Sequence, residues 1–474
     1  MKARILALAA LFTIAATAAH AKCKTEACRN AVAWKNGYTA IVLDDDISST
    51  DYAAVLEAVK ANGGAVGLES ERALLGWLPR AAAARLRARR GVRAVLFDPV
   101  PRPADLVANE EARYALGFFN RVLSGEYEDR IEAGLAIQGQ PLQGCVVGRG
   151  PAASLAAGSE GKGAIASASL LRDVPAAAHR GGEKAADTRL AEPGAGPDYW
   201  YHTPYQNPDM RGRVTVQLFR LDSNGAIDPN LYTWSNADFA FARDQVAGAF
   251  SFWANAAYAR NITLSFRVLI CDPLSRYTRQ IVPTPTKYEP ITHGYADDYL
   301  WVNDALWYFG YDSPSPTPDS VYSANEQFNA SKKNDPYYGS YDRSFSVYVI
   351  YNPPPAPSVF ADGYRAYAMS DGPLVMLMWN SAGWGPDNLG RVLTHETGHI
   401  FWACDEYYDQ PSNTGCFSCN HCFYNVGPRN QLATPWITNG NCNYPTTGCD
   451  VSVSCMMKDL YAGLCSRTPA QIGW

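Results

Sequence analysis

The chain has 474 residues, a formal net charge of −5, and 47% hydrophobic and 12% aromatic residues. Its length suggests two or three folding units and its apolar share supports a sizeable core. The slightly acidic balance excludes any strong expectation of a nucleic-acid partner.

Lys2 and Arg4 precede the apolar run ILALAALFTIAATAA, and Ala19-His20-Ala21 then puts small residues at the −3 and −1 positions. This is the pattern of a secretory signal over residues 1–21. The run is shorter than the ~20 residues that span a bilayer, and Lys22 before Cys23 does not fit a lipidation site. The expectation is a secreted monomer, extracellular or periplasmic, with no membrane anchor. Export makes disulfides the default reading of the twelve cysteines.

Residues 22–107 carry a module. YTAIVLDD reads as a strand, and DYAAVLEAVKAN as a helix capped by Ser49, Thr50 or Asp51 and ended by Gly63-Gly64. AVGLES and RALLGWLP read as strands, RAAAARLRARRG as a helix and VRAVLFD as a final strand. The order βαββαβ is that of a small split-βαβ unit. In pattern it resembles the prosegments of secreted proteases of the subtilisin type, which implies a zymogen. An accessory domain without an inhibitory role is the other reading.

Residues 108–197 begin with polar helical sequence to about 133. They pass into the Ala-, Gly- and Ser-rich stretch GRGPAASLAAGSEGKGAIASASL, a linker by composition and the natural place for maturation cleavage. From 198 to 474 strands alternate with helices. RGRVTVQLFRLD, ITLSFRVLIC, FSVYVIYN, YRAYAMS and PLVMLMWN read as strands. NADFAFARDQVAGAFSFWANAA, ADDYLWVNDALWYFGY and NLGRVLTHETGHIFWA read as helices. The fold class expected is α+β: a mixed twisted sheet with helices, and an irregular, disulfide-rich C-terminal lobe holding eight of the cysteines.

The stretch HETGHIFWACDEYYD, residues 395–409, carries the chemistry. His395 and His399 are four apart on a helix, so both imidazoles reach one zinc ion at ~2.0–2.1 Å. Glu396 is one step round, close enough to take a proton from a water on the metal and return it to a leaving amine. A continuing helix would carry Glu406 ~10 Å along the axis, at 1.5 Å per residue, beyond the same ion. Asp405 reaches it if the chain turns sharply after Trp402. Asp405 is the favoured third ligand and Glu406 the alternative. His202, His293 and His421 are remote candidates.

HETGHIFWACD resembles the metzincin motif in its aspartate form, as in the snapalysin type, and DEYY is similar to the IgA-peptidase-like metallopeptidases. The resemblance implies a zinc endopeptidase acting on polypeptides and a methionine turn beneath the metal, for which SCMMKD offers Met456 and Met457. It also implies that the strand within YRAYAMSDGPLVMLMWN is the edge that pairs with substrate. The chain departs from the family at Trp402, where metzincins usually place glycine, and at Asp459, where some place tyrosine. Tyr407 or Tyr461 would then assist the oxyanion.

CFSCNHC has metal-like spacing, but export favours disulfides there. Cys145 raises the idea of a thiolate latch on the zinc, against which cysteine parity argues. Two rival readings stand: an exported binding or surface protein with a structural zinc helix, and a gluzincin-type peptidase with a remote glutamate ligand.

Overall fold

The computed structural model describes residues 37–125, 207–272, 282–361, 366–369, 371–380, 386–403, 455–457 and 463–474. The leader, Cys145, the Ala/Gly/Ser stretch, His202 and His421 lie outside the described residues. So do Asp405, Glu406, Tyr407, Tyr461 and the cysteines from Cys404 to Cys449.

The N-terminal elements follow the expected order: β1 (Tyr38–Leu43), α1 (Ser49–Ala61), β2 (Ala65–Glu69), β3 (Ala73–Trp77), α2 (Ala83–Arg87) and β4 (Val92–Leu96). They are followed by α3 (Pro103–Leu106) and α4 (Glu110–Ser124). The cap of α1 is Ser48, one residue before the expected group, because its hydroxyl accepts the Asp51 N–H at 3.0 Å. The helix over RAAAARLRARRG is shorter than expected, a 3-10 turn at Arg80–Ala82 leading into α2.

The remaining elements are β5 (Gly212–Ser223), α5 (Asn236–Tyr258), β6 (Leu264–Ile270), β7 (Thr284–Thr286), α6 (Asp298–Trp307) and α7 (Pro318–Lys332). The short hairpin β8 (Asn334–Asp335) and β9 (Gly339–Ser340) leads to β10 (Arg343–Ile350), β11 (Ala366–Ala368) and β12 (Leu374–Met378). The chain closes with α8 (Leu389–Ile400) and α9 (Thr468–Gln471). Thr468 is the first residue of α9 rather than its cap; its hydroxyl lies 3.2 Å from Cys455 Sγ and 3.3 Å from Cys465 Sγ. No helix among the described residues is long and apolar enough to cross a membrane.

A mixed ten-stranded sheet in the order β11-β12-β10-β5-β6-β2-β3-β1-β4, with β7 beside β5, organises the described residues. β12, β10, β5, β6 and β2 run parallel, while β11 at one end and β3, β1 and β4 at the other make antiparallel pairs. Strands of the N-terminal module therefore continue the sheet of the C-terminal region.

Alternation along the strands makes two core layers. Val214, Val216 and Leu218 of β5 and Phe345, Val347 and Val349 of β10 join a core with α4, α5 and α8. Phe219 and Leu221, with Tyr348 and Ile350, point the other way onto α6 and α7. Beyond them α1 and α2 cover Ile41, Leu43 and Leu74 of the module. Helices on both faces of a mixed sheet realise the α+β class expected.

Candidate metal centre

Close packing fixes α8 in place. A Cβ on Gly390 would stand 2.5 Å from the carbonyl oxygen of Gln245, so only glycine lets α8 approach α5 this nearly. The Gly390 N–H donates to Gln245 Oε1 at 3.1 Å, and Trp253 Nε1 of α5 donates to the Thr394 carbonyl at 2.9 Å.

From this helix His395, Glu396 and His399 all point into buried surroundings. The two Nε2 atoms face each other at 3.1 Å. His395 Nδ1 lies 3.1 Å from the carbonyl oxygen of Met456, and His399 Nδ1 lies 2.8 Å from that of Ala403. A carbonyl oxygen only accepts, so each Nδ1 must carry the proton and donate it. In the neutral rings both Nε2 atoms then present lone pairs to one another, an arrangement a cation between them relieves. The donor set fits a divalent ion of the zinc type, for which neutral imidazole is a preferred ligand.

The helix ends in a reversal. Trp402 N–H donates to the His399 carbonyl and Ala403 N–H to the Gly398 carbonyl, both at 3.0 Å. This is the paired 5→2 and 6→1 bonding of a Schellman motif, whose penultimate residue must be left-handed. Trp402 occupies that position with φ +73°. The turn thus has the conformation glycine usually supplies, adopted here by a buried tryptophan. It brings the chain back against His399, with Ala403 two residues short of Asp405.

Met456 and Met457 pass beneath. Besides the Met456 carbonyl at His395, Met457 fills the space over Gly398, where a Cβ would stand 2.7 Å from Sδ and 3.0 Å from Cε. The segment is tied down by Met456 N–H donating to the Gly463 carbonyl at 2.7 Å. Cys455 and Cys465 lie side by side, with the Cys465 N–H donating to Cys455 Sγ at 3.3 Å. Hydrogen bonding from the Cys455 thiol holds the Cys465 thiol below its usual range.

His293 stands elsewhere. Its Nε2 is 2.7 Å from Asp228 Oδ2 and its ring centroid 5.9 Å from that of Trp301, in the helical layer on the opposite face from α8. The candidate third ligands Asp405 and Glu406 lie outside the described residues. Among the described residues no group of three or more His, Cys, Asp or Glu comes together as a metal site.

Sequence reasoning did not find the two orienting carbonyls, which carry no side-chain signature, or the clamp behind the helix end. Asp371, left-handed at φ +69°, donates its N–H to the Ile400 carbonyl at 3.1 Å. Its carboxylate accepts the Asn207 N–H at 2.6 Å, and its carbonyl accepts Asn207 Nδ2 at 2.7 Å. The dipeptide Asp371-Gly372 ahead of Pro373 was the available turn signal.

Comparison with known protein families, curated proteins and solved structures gives no match for this chain.

Proposed function

We propose that the chain is a secreted zinc-dependent endopeptidase resembling the metzincins, with His395, His399 and Asp405 holding the metal. The observation that carries this reading is the convergence of two imidazole nitrogens, each ring proton committed to a carbonyl on its far side. The Schellman turn supports Asp405 over Glu406: from Ala403 the aspartate is two residues away, about 7 Å of chain at most, and the glutamate three.

When bound, zinc supplies Lewis-acid polarisation of a carbonyl and acidifies water. Glu396 accepts the proton released by the attacking water and delivers it to the departing amine. Its burial beside the histidines keeps bulk water from competing for that proton. The Met456 and Ala403 carbonyls hold the rings in their working tautomers. Strand β11, antiparallel to β12 at one end of the sheet order among the described residues, is the strand along which an extended polypeptide would lie. Ala366 and Ala368 turn small side chains toward the α8 layer.

The experiment is zinc content and casein cleavage for wild type, Glu396→Ala and Asp405→Ala. Glu396→Ala should keep its zinc and lose at least about a hundredfold in activity, and Asp405→Ala should lose zinc. Equal cleavage by wild type and Glu396→Ala would defeat the enzyme reading. Full zinc retention in Asp405→Ala would move the third ligand elsewhere.

A further inference from the structure

The N-terminal module and the C-terminal region share a sheet, a core and a buried charge. Strand β2 pairs in parallel with β6, Leu68 opposite Phe266 and Glu69 opposite Arg267. Gly67 makes the approach possible, since a Cβ there would stand 3.1 Å from the Ala254 Cβ of α5 and 2.9 Å from the Trp77 ring. Trp77 of the module stacks on Tyr258 of α5 at 5.5 Å. Phe118 and Phe119 of α4 lie in the same core as Phe250 and Trp253.

At the centre of the join lies Glu69, 5% exposed. Its carboxylate accepts from Arg213 Nη2 at 2.6 Å and Nε at 3.0 Å, and from Ser265 Oγ at 2.6 Å, all three across the join. Tyr52 of the module donates at 2.8 Å. A second pair of links crosses further out: Arg121 to Asp244 at 2.5 Å and Arg243 to Glu111 at 2.8 Å. Pulling the two parts apart would strip Glu69 of these three donors and of the Tyr341 hydroxyl, which donates to it at 3.2 Å, leave Arg213 without its counter-charge and bare the edge of β6. Removing one member of a buried pair is far costlier than never having buried it.

We infer that residues 37–125 are a resident partner of the C-terminal region: a cut in the segment joining them leaves a two-chain molecule rather than a released prosegment. The module's place in the sheet accords with this. β2 is four strands from β12, against which α8 rests, or roughly 19 Å at about 4.8 Å per strand. The described residues of the module brace the sheet from that position. The inference does not depend on the peptidase reading.

The test uses the full chain with a specific protease recognition sequence placed within residues 148–197. After cutting, size exclusion at low micromolar concentration and high salt should give one peak containing both pieces. Amide exchange over Leu264–Ile270 should match that of the uncut chain. In the cut protein Glu69→Ala should weaken association at least about a hundredfold. Glu69→Gln, still an acceptor for Ser265 and Tyr52, should weaken it less. Two separate peaks with a folded C-terminal piece, or a Glu69→Ala pair as tight as wild type, would overturn the inference.

Discussion

Trp402 concentrates two opposed energies in one residue. A left-handed conformation costs a non-glycine residue about 1–2 kcal/mol, yet this side chain is 5% exposed and so contributes most of a tryptophan's apolar burial. Truncating a buried tryptophan costs about 3–5 kcal/mol, which exceeds the strain that glycine would relieve. Trp402→Gly should therefore unfold more easily by roughly 2 kcal/mol in urea. On the proposed reading, zinc content should stay near that of wild type, because glycine adopts the same turn. A variant more stable than wild type would show that the indole contributes less than the turn costs. The sequence predicts a break after residue 402, from the need to bring Asp405 back. It does not reveal that tryptophan would make the turn itself, because the compensating burial is created by tertiary packing.

At the scale of elements, α8 is held from above by α5 and from below by the methionine segment. Gly398 is the contact point on the lower side. Alanine there would gain about 1 kcal/mol in helix propensity, but its Cβ would meet Met457 Sδ at 2.7 Å and Ala403 Cβ at 3.2 Å. Met457 is fully buried and has little room to yield. Gly398→Ala should lose about 1–3 kcal/mol, as overpacked cores do, and, on the proposed reading, should lower peptidase activity by shifting the carbonyl that orients His395. Adding Met457→Ala should recover part of that loss. A double-mutant cycle in urea should thus show a coupling of at least about 0.5 kcal/mol, and strict additivity would mean the two residues do not press on each other.

Legibility at this scale followed the strength of the local pattern. The module's strands, α5, β5, β10 and α8 carry clear periodicity and appear where the sequence suggests. Helix α7 does not stand out, for two physical reasons. The run SPSPTP reads as loop, yet its Thr317 caps the helix through Ser320 with Pro318 in the first turn. The buried stripe Val321, Tyr322, Asn325, Phe328 and Asn329 hides its period behind two asparagines. They are polar in sequence but satisfied in the fold: Asn325 donates to Tyr348 OH at 2.6 Å, and Asn329 to the Pro373 carbonyl at 2.8 Å. The metal motif was legible because its spacing is a property of one helix. The orienting carbonyls of Met456 and Ala403 were not, since nothing in a side chain announces a backbone acceptor.

For the whole molecule, the layer on the far side of the sheet is sensitive to pH. Asp298 is fully buried between Tyr322 and Tyr367, both of which donate to its carboxylate, the second at 2.7 Å. Burial pushes its carboxyl up to about 7 despite those bonds, and burial also raises Glu289 and Glu326 to about 7. A carboxyl raised in this way binds its proton more tightly when folded than when unfolded. Its contribution is therefore complete below the ordinary value of 3.8 and is lost as pH rises through about 7. For Asp298 the span of some three units corresponds to at most about 4 kcal/mol. Because Tyr367 belongs to β11, ionisation here also bears on the strand beside α8. Urea unfolding of wild type and Asp298→Asn across that window should give a steeper fall for wild type, with the variant losing less stability toward neutral pH. Parallel curves would mean that the two tyrosine hydroxyls offset burial completely and that Asp298 stays ionised in the fold. Strand β11 would then owe none of its anchoring to a protonated carboxyl.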